Sequence, residues 1–231
     1  MIGHPHVHHR LTDSTNERAR ALAGAGAPHG TVVTADEQTA GRGRQGRSWL
    51  AAPGEALLAS VVVRDLAPRH ALAPMMAALA VCEAAEAASE TPVACAIKWP
   101  NDVWVDRRKV SGILVEARPA AGWAIVGIGL NTGVREFPPE IEQIATSLDL
   151  PSPAAALGPL LGALDRWLAA KPPEILAAWR ERDALLGDRI AWDGGGGVAR
   201  GVDESGALLV DTDTGARVAL AAGEVHLTRA T

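Results

Sequence analysis

The order of strand-like and helix-like segments is the feature that most constrains the fold of this chain. Residues 56–64 are apolar and rich in valine, which predicts a buried strand, and the alanine-rich residues 70–88 predict a long helix. Strand-like runs at 93–99, 110–116 and 123–130 then follow without an intervening helical pattern. Because strands and helices do not alternate regularly, the pattern favours an α+β architecture.

The two ends of the chain differ in their predicted secondary structure. Ser14-x-x-Glu17 fits a capping box at the start of a helix, and residues 154–170 and 173–186 predict two more helices. Beyond Gly187, glycine-containing turns separate short strand-like runs at 189–192, 197–203, 207–211, 217–221 and 224–229. This change predicts two domains, 1–186 and 187–231. The second has only about 45 residues, so it is expected to pack on the first to bury its core.

Composition sets the broad class of protein. The chain has 231 residues, a formal net charge of -5 and 48% hydrophobic residues. Its two cysteines, Cys82 and Cys95, form neither a disulfide framework nor a metal-ligand spacing, which favours a reducing compartment. We expect no membrane span and no signal peptide, and therefore a cytoplasmic protein without a membrane partner. A disordered terminus is predicted for the four N-terminal histidines, His4, His6, His8 and His9.

Residues 41–49, with the sequence GRGRQGRSW, form the first motif that carries chemistry. No acidic residue lies between Glu37 and Glu55, although the chain as a whole is acidic. Glycine lets the backbone approach a ligand closely, and arginine offers a planar charged fork to phosphate or carboxylate. The motif predicts a mobile cationic loop that closes over an anion. The alternative is a solvated surface loop, since short basic runs are weak signals.

A second motif consists of residues 98–102 (KWPND) and 109–116 (KVSGILVE). Shorter landmarks lie at 14–16 (STN), 37–39 (EQT), 127–131 (GIGLN) and 145–148 (ATSL). In this order and spacing over residues 12–148, with a compatible tail to 229, the chain resembles the biotin protein ligase family. The resemblance implies a central mixed β-sheet flanked by helices, followed by a small C-terminal SH3-like β-barrel.

The resemblance also implies an activity and its partners. Biotin and ATP would form biotinyl-5′-AMP, and a lysine of a biotin carboxyl carrier protein would then accept the biotinyl group. Mg²⁺ is expected with ATP, held mostly through phosphates and water. Some relatives carry an N-terminal DNA-binding segment, and we expect no DNA binding because nothing comparable precedes residue 12.

Several residues receive roles from the resemblance. The expected catalytic residues are Arg42, Lys98, Asp102 and Lys109. Those expected to contact biotin are Ser14, Thr15, Gln38, Gly41, Arg42, Arg44, Trp49, Lys109, Gly112 and Gly129. Those expected to contact ATP or the adenylate are Arg42, Arg44, Arg47, Lys109 and Asn131. Cations suit this reaction because both steps gather negative charge on phosphate oxygens.

Some of these residues also have plain structural interpretations. Ser14, Thr15 and Asn16 make a good helix start, and Asp102 suits a turn-stabilising contact after Pro100-Asn101. Glycines within strands mark bulges or close backbone approach. The adenine contact is not identified, and residues 132–140 are the candidates.

Three other functions compete with the biotin ligase hypothesis. A lipoate or octanoate ligase belongs to the same wider superfamily, but such relatives do not carry both long motifs. An RNA-binding protein would show a broad basic surface rather than one basic loop. A degenerate, non-catalytic biotin-binding homologue would lack charged motif residues, and all of them are present here. The absence of a G-x-x-x-x-G-K-[ST] motif excludes a P-loop ATPase.

Overall fold

The larger part of the fold is a seven-stranded mixed sheet. A computed structural model describes residues 1–221, 223 and 225–228. The strands lie in the order β1-β2-β3-β7-β6-β5-β4, in which β1 pairs parallel with β2 and every other pair is antiparallel. In chain order they are β1 His6–Thr12, β2 Val32–Gln38, β3 Ala56–Arg64, β4 Cys95–Lys98, β5 Asp102–Val105, β6 Arg108–Arg118 and β7 Trp123–Asn131.

Helices cover both faces of this sheet. They are α1 Thr15–Gly24, α2 Ala73–Ala88, α3 Ala154–Ala169 and α4 Pro172–Arg180. On one face, Ala19 and Ala23 of α1 pack on Val33, Val62 and Ile125 of the sheet. On the other face lies the main core, to which α2, α3 and α4 contribute. Because β3 lies between both layers, residues 56–63 are all buried, which explains their continuous apolar run.

Helix α2 is an apolar helix of the core. A short 3₁₀ turn, Pro68–Leu72, leads into it, so the predicted helix 70–88 is confirmed apart from its first turn. Among the described residues, the stretch Pro68–Ala88 is long and apolar enough to cross a membrane, contrary to the sequence expectation. Its most apolar window is 67% buried inside the protein. Helix α2 is apolar because α3 and the sheet bury it.

The C-terminal strands form a second, five-stranded antiparallel sheet. Its strands are β8 Arg189–Trp192, β9 Gly195–Val202, β10 Leu208–Thr212, β11 Arg217–Leu220 and β12 Val225–Leu227, in the order β11-β10-β9-β8-β12. The predicted strands overlap these bounds, although residues 224 and 229 of the last one lie outside the described residues. Ile190, Leu208 and Val225 belong to the main core, and the Trp99 indole N–H donates to the Gly206 carbonyl at 3.0 Å. The expected packing of this unit on the rest of the chain is confirmed.

The N-terminus differs from the sequence expectation. The predicted disordered histidine segment is instead the edge strand β1, whose register pairs His6 with Val32 and His8 with Thr34. His6 Nε2 lies 2.8 Å and His8 Nδ1 lies 3.0 Å from Thr34 Oγ1. Burial lowers the pKa of His6, with smaller effects from His8 and His4. An edge strand tolerates polar residues, so it lacks the apolar alternation by which strands are recognised.

Two helix predictions also need correction. The helix predicted over 173–186 ends at Arg180, because Ile97 N donates to the Arg182 carbonyl and Ala184 N donates to the Ile97 carbonyl. These bonds draw the chain into a bridge beside β4. Ser14 is the N-cap residue of α1, but its side chain makes no capping bond, so the predicted capping box is wrong.

Candidate active site

One cavity gathers the predicted site residues. It has a volume of about 1310 Å³ and lies against the face of β6 and β7 that carries Gly112 and Gly129. Every predicted catalytic, biotin-binding or ATP-binding residue except Gly41 lines it: Ser14, Thr15, Gln38, Arg42, Arg44, Arg47, Trp49, Lys98, Asp102, Lys109, Gly112, Gly129 and Asn131. The two motifs that are distant in sequence therefore face one space.

The cationic loop folds back on itself beside this cavity. Gly43 N donates to the Arg47 carbonyl at 2.7 Å, and Trp49 N donates to the Gly41 carbonyl at 2.9 Å. A side chain at Gly41 would place its Cβ 2.2 Å from the Trp49 carbonyl oxygen. Gly41 thus permits the loop to close on itself, which is a different role from the expected contact with biotin.

Arg42 is flanked by two carboxylates. Its guanidinium pairs with Glu17 of α1 and, at 3.2 Å, with Oε1 of Glu116 on β6. The side chains of Glu17 and Glu116 are 27% and 24% exposed, whereas that of Arg42 is 42% exposed. The second oxygen of Glu17 is paired with Arg20. An anion that recruits Arg42 must therefore compete with, or join, an existing charge pair.

A hydrogen bond joins the two long motifs. Arg44 Nη1 donates to Asn101 Oδ1 at 3.1 Å, across 57 positions of sequence. Asn101 in turn donates through Nδ2 to the Ile113 carbonyl at 2.7 Å. The amide of Asn101 therefore ties the cationic loop to strand β6, so that the arginines and Lys109 keep a common frame.

Lys109 is oriented by a carboxylate and by a β-bulge. Its Nζ lies 2.8 Å from Asp102 Oδ1, so two of the expected catalytic residues form an ion pair. Asp102 pairs with Gly112, but Trp104 pairs with Lys109, which leaves Val110 as an extra residue on β6. The bulge places Lys109 on the same side as Gly112, despite their odd spacing.

Trp49 covers a shelf made by two glycines. Gly112 and Gly129 are paired across β6 and β7. A Cβ at Gly129 would lie 2.5 Å from Trp49 Cε2, and one at Gly112 would lie 2.9 Å from Trp49 Cζ3. Lys109 Nζ lies 5.6 Å from the centre of the indole ring. The surface expected to border a ligand is thus packed against Trp49, whose Nε1 is buried without a partner among the described residues.

A row of polar side chains runs beneath the start of α1. Thr15 donates through its backbone N–H to Gln38 Oε1 at 2.7 Å. Ser60 Oγ lies 2.8 Å from Thr15 Oγ1 and 2.7 Å from Asn16 Oδ1. Asn16 Nδ2 then donates to Glu116 Oε2 at 2.8 Å. Sequence reasoning did not single out Ser60, and it gave Asn16 only a place in the helix start. A serine inside a valine-rich run is the signal by which Ser60 could have been found.

The start of α1 is held from outside the cavity by Asp13. Its Oδ1 accepts from the Ser14 backbone N–H at 2.7 Å, and its Oδ2 accepts from Arg18 Nη2 at 2.9 Å. The bond from the Ser14 N–H is the main cause that lowers the pKa of Asp13, and bonds from Thr12 and Arg18 add to it. These contacts fix where Ser14 and Thr15 enter the cavity.

A loop on the far side of the cavity docks along β6. Lys109 N donates to the Ile144 carbonyl at 2.7 Å, and Thr146 N donates to the Lys109 carbonyl at 2.8 Å. Asn131 uses its side-chain N–H to bond the Thr146 carbonyl at 3.0 Å. Asn131 therefore positions this loop as well as lining the cavity.

Apolar side chains and the C-terminal unit complete the cavity walls. Leu50 is 72% and Ile144 is 62% exposed, and both line the cavity with Phe137. From the C-terminal side come Arg189 and His226. Lys98 also lines the cavity, and its Nζ lies 5.5 Å from the Trp104 ring centre. Among the described residues, no group of three or more His, Cys, Asp and Glu side chains is arranged to hold a metal ion.

The mixed sheet, with cations and a buried polar row beside one large cavity, belongs to a protein of the biotin and lipoate ligase class, as comparison with known proteins shows. The model of the biotin/lipoate A/B protein ligase family matches residues 9–132. The model of the biotin protein ligase C-terminal domain matches residues 186–227.

Individual relatives define the family more closely. The biotin–[acetyl-CoA-carboxylase] ligase of Mycobacterium tuberculosis is 36% identical, over 94% of this chain and 86% of that protein. The bifunctional ligase/repressor of Bacillus subtilis is 37% identical over 64% of this chain, a match that spans 47% of that protein. The Aquifex aeolicus biotin protein ligase in complex with biotin and ATP superimposes with a TM-score of 0.83 at 31% identity, over 99% of this chain and all of that one.

The chain therefore belongs to the biotin protein ligase family, as its two long motifs indicated.

Proposed function

We propose that this protein is an ATP-dependent ligase that attaches biotin to a lysine of a biotin carboxyl carrier protein. The observation that carries the proposal is the convergence of Arg42, Lys109 and Thr15 on one cavity, from three separate segments. Membership of the biotin protein ligase family, whose solved Aquifex relative is a complex with biotin and ATP, supports the same activity.

The proposed reaction has two steps. A carboxylate oxygen of biotin attacks the α-phosphorus of ATP, the bond to the β-phosphate oxygen breaks, and pyrophosphate leaves. The amine of the acceptor lysine then attacks the acyl carbon of biotinyl-5′-AMP; an amide forms, AMP leaves, and the amine loses a proton. Both steps depend on cations placed where negative charge develops.

The cations of the cavity divide this work. Lys109 is proposed to bridge the biotin carboxylate and the α-phosphate, since its compact ammonium is held in place by Asp102. Arg42, Arg44 and Arg47 of the loop would approach the phosphates, and Lys98 would add a further positive charge. Closure of the loop would also protect the anhydride from water.

Asp102 has a second proposed task in the transfer step. Its carboxylate already lies beside Lys109 in the cavity, where the acceptor amine must arrive. A carboxylate at this position can receive the proton that the amine loses. The exposed side chains of Leu50 and Ile144 are proposed to border the entrance that the acceptor uses.

The biotin end of the cavity is proposed to be the polar helix start. Ser14, Thr15 and Gln38 would bond the ureido ring, while the Gly112–Gly129 shelf would receive the rest of the bicycle once Trp49 has moved aside. Gly41 would contribute by closing the loop. A largely apolar pocket with a few aimed polar groups suits such a ligand.

ATP is proposed to lie toward the loop that follows β7. Asn131 and the apolar residues within 132–140, such as Phe137, would contact the nucleotide. Mg²⁺ would arrive as part of the Mg-ATP substrate, bound through phosphate oxygens and water with at most one or two carboxylates. Its contribution would be to neutralise phosphate charge.

The finer assignments for the whole chain are proposals of the same kind. Residues 1–186 would form the catalytic domain and residues 187–231 an SH3-like barrel. Five antiparallel strands and the match to the C-terminal domain model support the barrel. A cytoplasmic location fits the two reduced, buried cysteines.

Transfer of biotin to an apo carrier domain tests the proposal. The protein is incubated with biotin, Mg-ATP and the carrier domain, and the acceptor is weighed by mass spectrometry. We expect the mass of one biotinyl group on the acceptor, and none when ATP is omitted. Lipoate replaces biotin as the control, and a lipoyl adduct in place of a biotinyl adduct would contradict the proposal.

A further inference from the structure

We propose that Ser60, through Asn16 and Glu116, fixes the hydrogen-bonding polarity of the biotin site, so that Thr15 faces the ligand only as an acceptor. The inference rests on the proposed function and names what selects the ureido ring. Ser60 does not line the cavity, whereas Thr15 does. Ser60 is therefore a positioning residue that acts through Thr15.

The polarity begins at Glu116, whose carboxylate can only accept hydrogen bonds. Its Oε1 accepts from Arg42, and its Oε2 accepts from Asn16 Nδ2. The amide of Asn16 is thereby oriented, with its oxygen turned away from Glu116 and toward Ser60. A side chain at Gly127 would place its Cβ 2.0 Å from Asn16 Oδ1, so the glycine makes room for this orientation.

The polarity continues through Ser60, which is fully buried. Its hydroxyl lies within bonding distance of Asn16 Oδ1 and Thr15 Oγ1, but it has a single proton. An amide oxygen cannot donate, so the Ser60 proton is committed to Asn16.

Thr15 must then commit its own proton inside the protein. Two acceptors are available to it: the oxygen of Ser60 at 2.8 Å and Gln38 Oε1 at 3.1 Å. Donation to Gln38 would leave the Ser60 and Thr15 oxygens 2.8 Å apart with no proton between them, so the Thr15 proton goes to Ser60 and Thr15 Oγ1 presents lone pairs to the cavity. An unpaired buried polar atom is costly, so a ligand that also presents lone pairs is disfavoured.

The ligand selected by this arrangement has an N–H group at this position, as a cyclic urea does. An isosteric ring that carries oxygen in place of N–H would face Thr15 lone pair to lone pair. A site built to pair with an N–H rejects an analogue that lacks it far more strongly than an apolar pocket rejects a missing methylene.

The test compares three ligands by calorimetry: biotin, desthiobiotin, and the cyclic carbonate analogue in which oxygen replaces both ureido N–H groups. We expect wild type to prefer biotin to the carbonate. In Ser60→Ala this preference should fall about tenfold or more, because Thr15 can then turn its proton toward the ligand. The ratio of biotin to desthiobiotin affinity should not change, since both carry the urea.

Matched variants separate positioning from packing. Ser111→Ala removes another fully buried hydroxyl, one that bonds the Gly129 carbonyl, and it should leave the biotin-to-carbonate ratio at the wild-type value. Glu116→Gln should lower the ratio without changing side-chain size, because a glutamine amide can turn its own N–H toward Asn16, and only the longer bond to the Leu114 carbonyl, at 3.4 Å, then still orients the Asn16 amide. If Ser60→Ala does not fold, Glu116→Gln decides the question.

An unchanged ratio in a folded Ser60→Ala, or in Glu116→Gln when Ser60→Ala does not fold, would overturn the inference. An equal loss of affinity for all three ligands would reduce Ser60 to a packing residue and overturn it as well. Failure of the wild-type protein to bind biotin is a separate result, which would contradict the proposed function itself.

Discussion

At the scale of single residues, the cavity works through paired charges. Lys109 is held by Asp102, and Arg42 is held between Glu17 and Glu116. Each cation therefore already has a partner before any anionic substrate arrives. Such pairing holds each cation in position before a substrate binds. A phosphate that binds there meets a cation whose geometry is already set, so the energetic cost of ordering the side chain is modest.

Replacing Lys109 tests its assignment. Lys109→Gln should lower biotin-dependent ATP–pyrophosphate exchange about 100-fold or more, the usual effect of removing one group that stabilises transition-state charge. The lysine is one-third exposed, so the fold should persist, as judged by an unchanged melting temperature.

Lys171→Gln provides the matched control, since Lys171 is exposed at the start of α4 and outside the cavity. Its exchange rate should equal that of wild type. Full exchange activity in the Lys109 variant would refute the proposed bridge between carboxylate and phosphate.

At the scale of elements, the bulge in β6 has the largest effect on the site. Regular alternation would place Val110 beside Gly112 in the cavity and turn Lys109 away from it. The extra residue reverses this, so that Val110 is fully buried in the core and Lys109 reaches Asp102. The lysine owes its position to a single irregular step in one strand.

Two alanine substitutions distinguish the bulged strand from a regular one. Val110→Ala should lower the free energy of unfolding by roughly 2 kcal/mol, as a large-to-small change in a core does. Lys109→Ala should leave it nearly unchanged. Urea unfolding measures both, and the opposite order of stabilities would mean that β6 has no bulge.

The sequence predicted long, locally encoded elements well and non-local ones poorly. Strand β3 and helix α2 are evident from composition alone, and every predicted site residue except Gly41 lines the cavity. Strand β1 was missed because an edge strand can be polar. The bulge at Val110 depends on how β6 pairs with Trp104 on the neighbouring strand, and the early end of α4 depends on bonds to Ile97, which is far away along the chain. Periodicity within a single segment reveals neither.

At the scale of the whole molecule, one hydrophobic core runs through both sheets. Asp183 lies where they meet, in a bridge with Ile97 of β4 and 3.9 Å from the Cβ position at Gly201 of β9. Burial raises the pKa of Asp183, and its Oδ2 is enclosed without a hydrogen-bond partner among the described residues. A charge at this junction opposes folding.

The raised pKa has a definite sign for stability. The folded state holds the Asp183 proton more tightly than the unfolded state does, so the contribution of this residue becomes unfavourable as pH rises above the ordinary value of 3.8. Asp183→Asn should therefore increase the free energy of unfolding at pH 7, and the gain should shrink as pH approaches 3.8.

Urea titrations at several pH values measure this difference. Asp149→Asn, at an exposed position, is the matched control and should show no such pH-dependent gain. A gain for Asp183→Asn that is equal at pH 4 and pH 7 would point to packing rather than charge.

The bond from Trp99 to Gly206 has a consequence for engineering. Trp99 is almost fully buried and directly follows Lys98. Its indole N–H donates a hydrogen bond to the turn between β9 and β10. The C-terminal strands therefore help to hold the motif at residues 98–102 in place, and they cannot be exchanged independently of it. A C-terminal segment grafted from a relative would need a turn that can accept this hydrogen bond. Without it, Trp99 would lose its partner, and the position of the neighbouring Lys98 would be less well fixed.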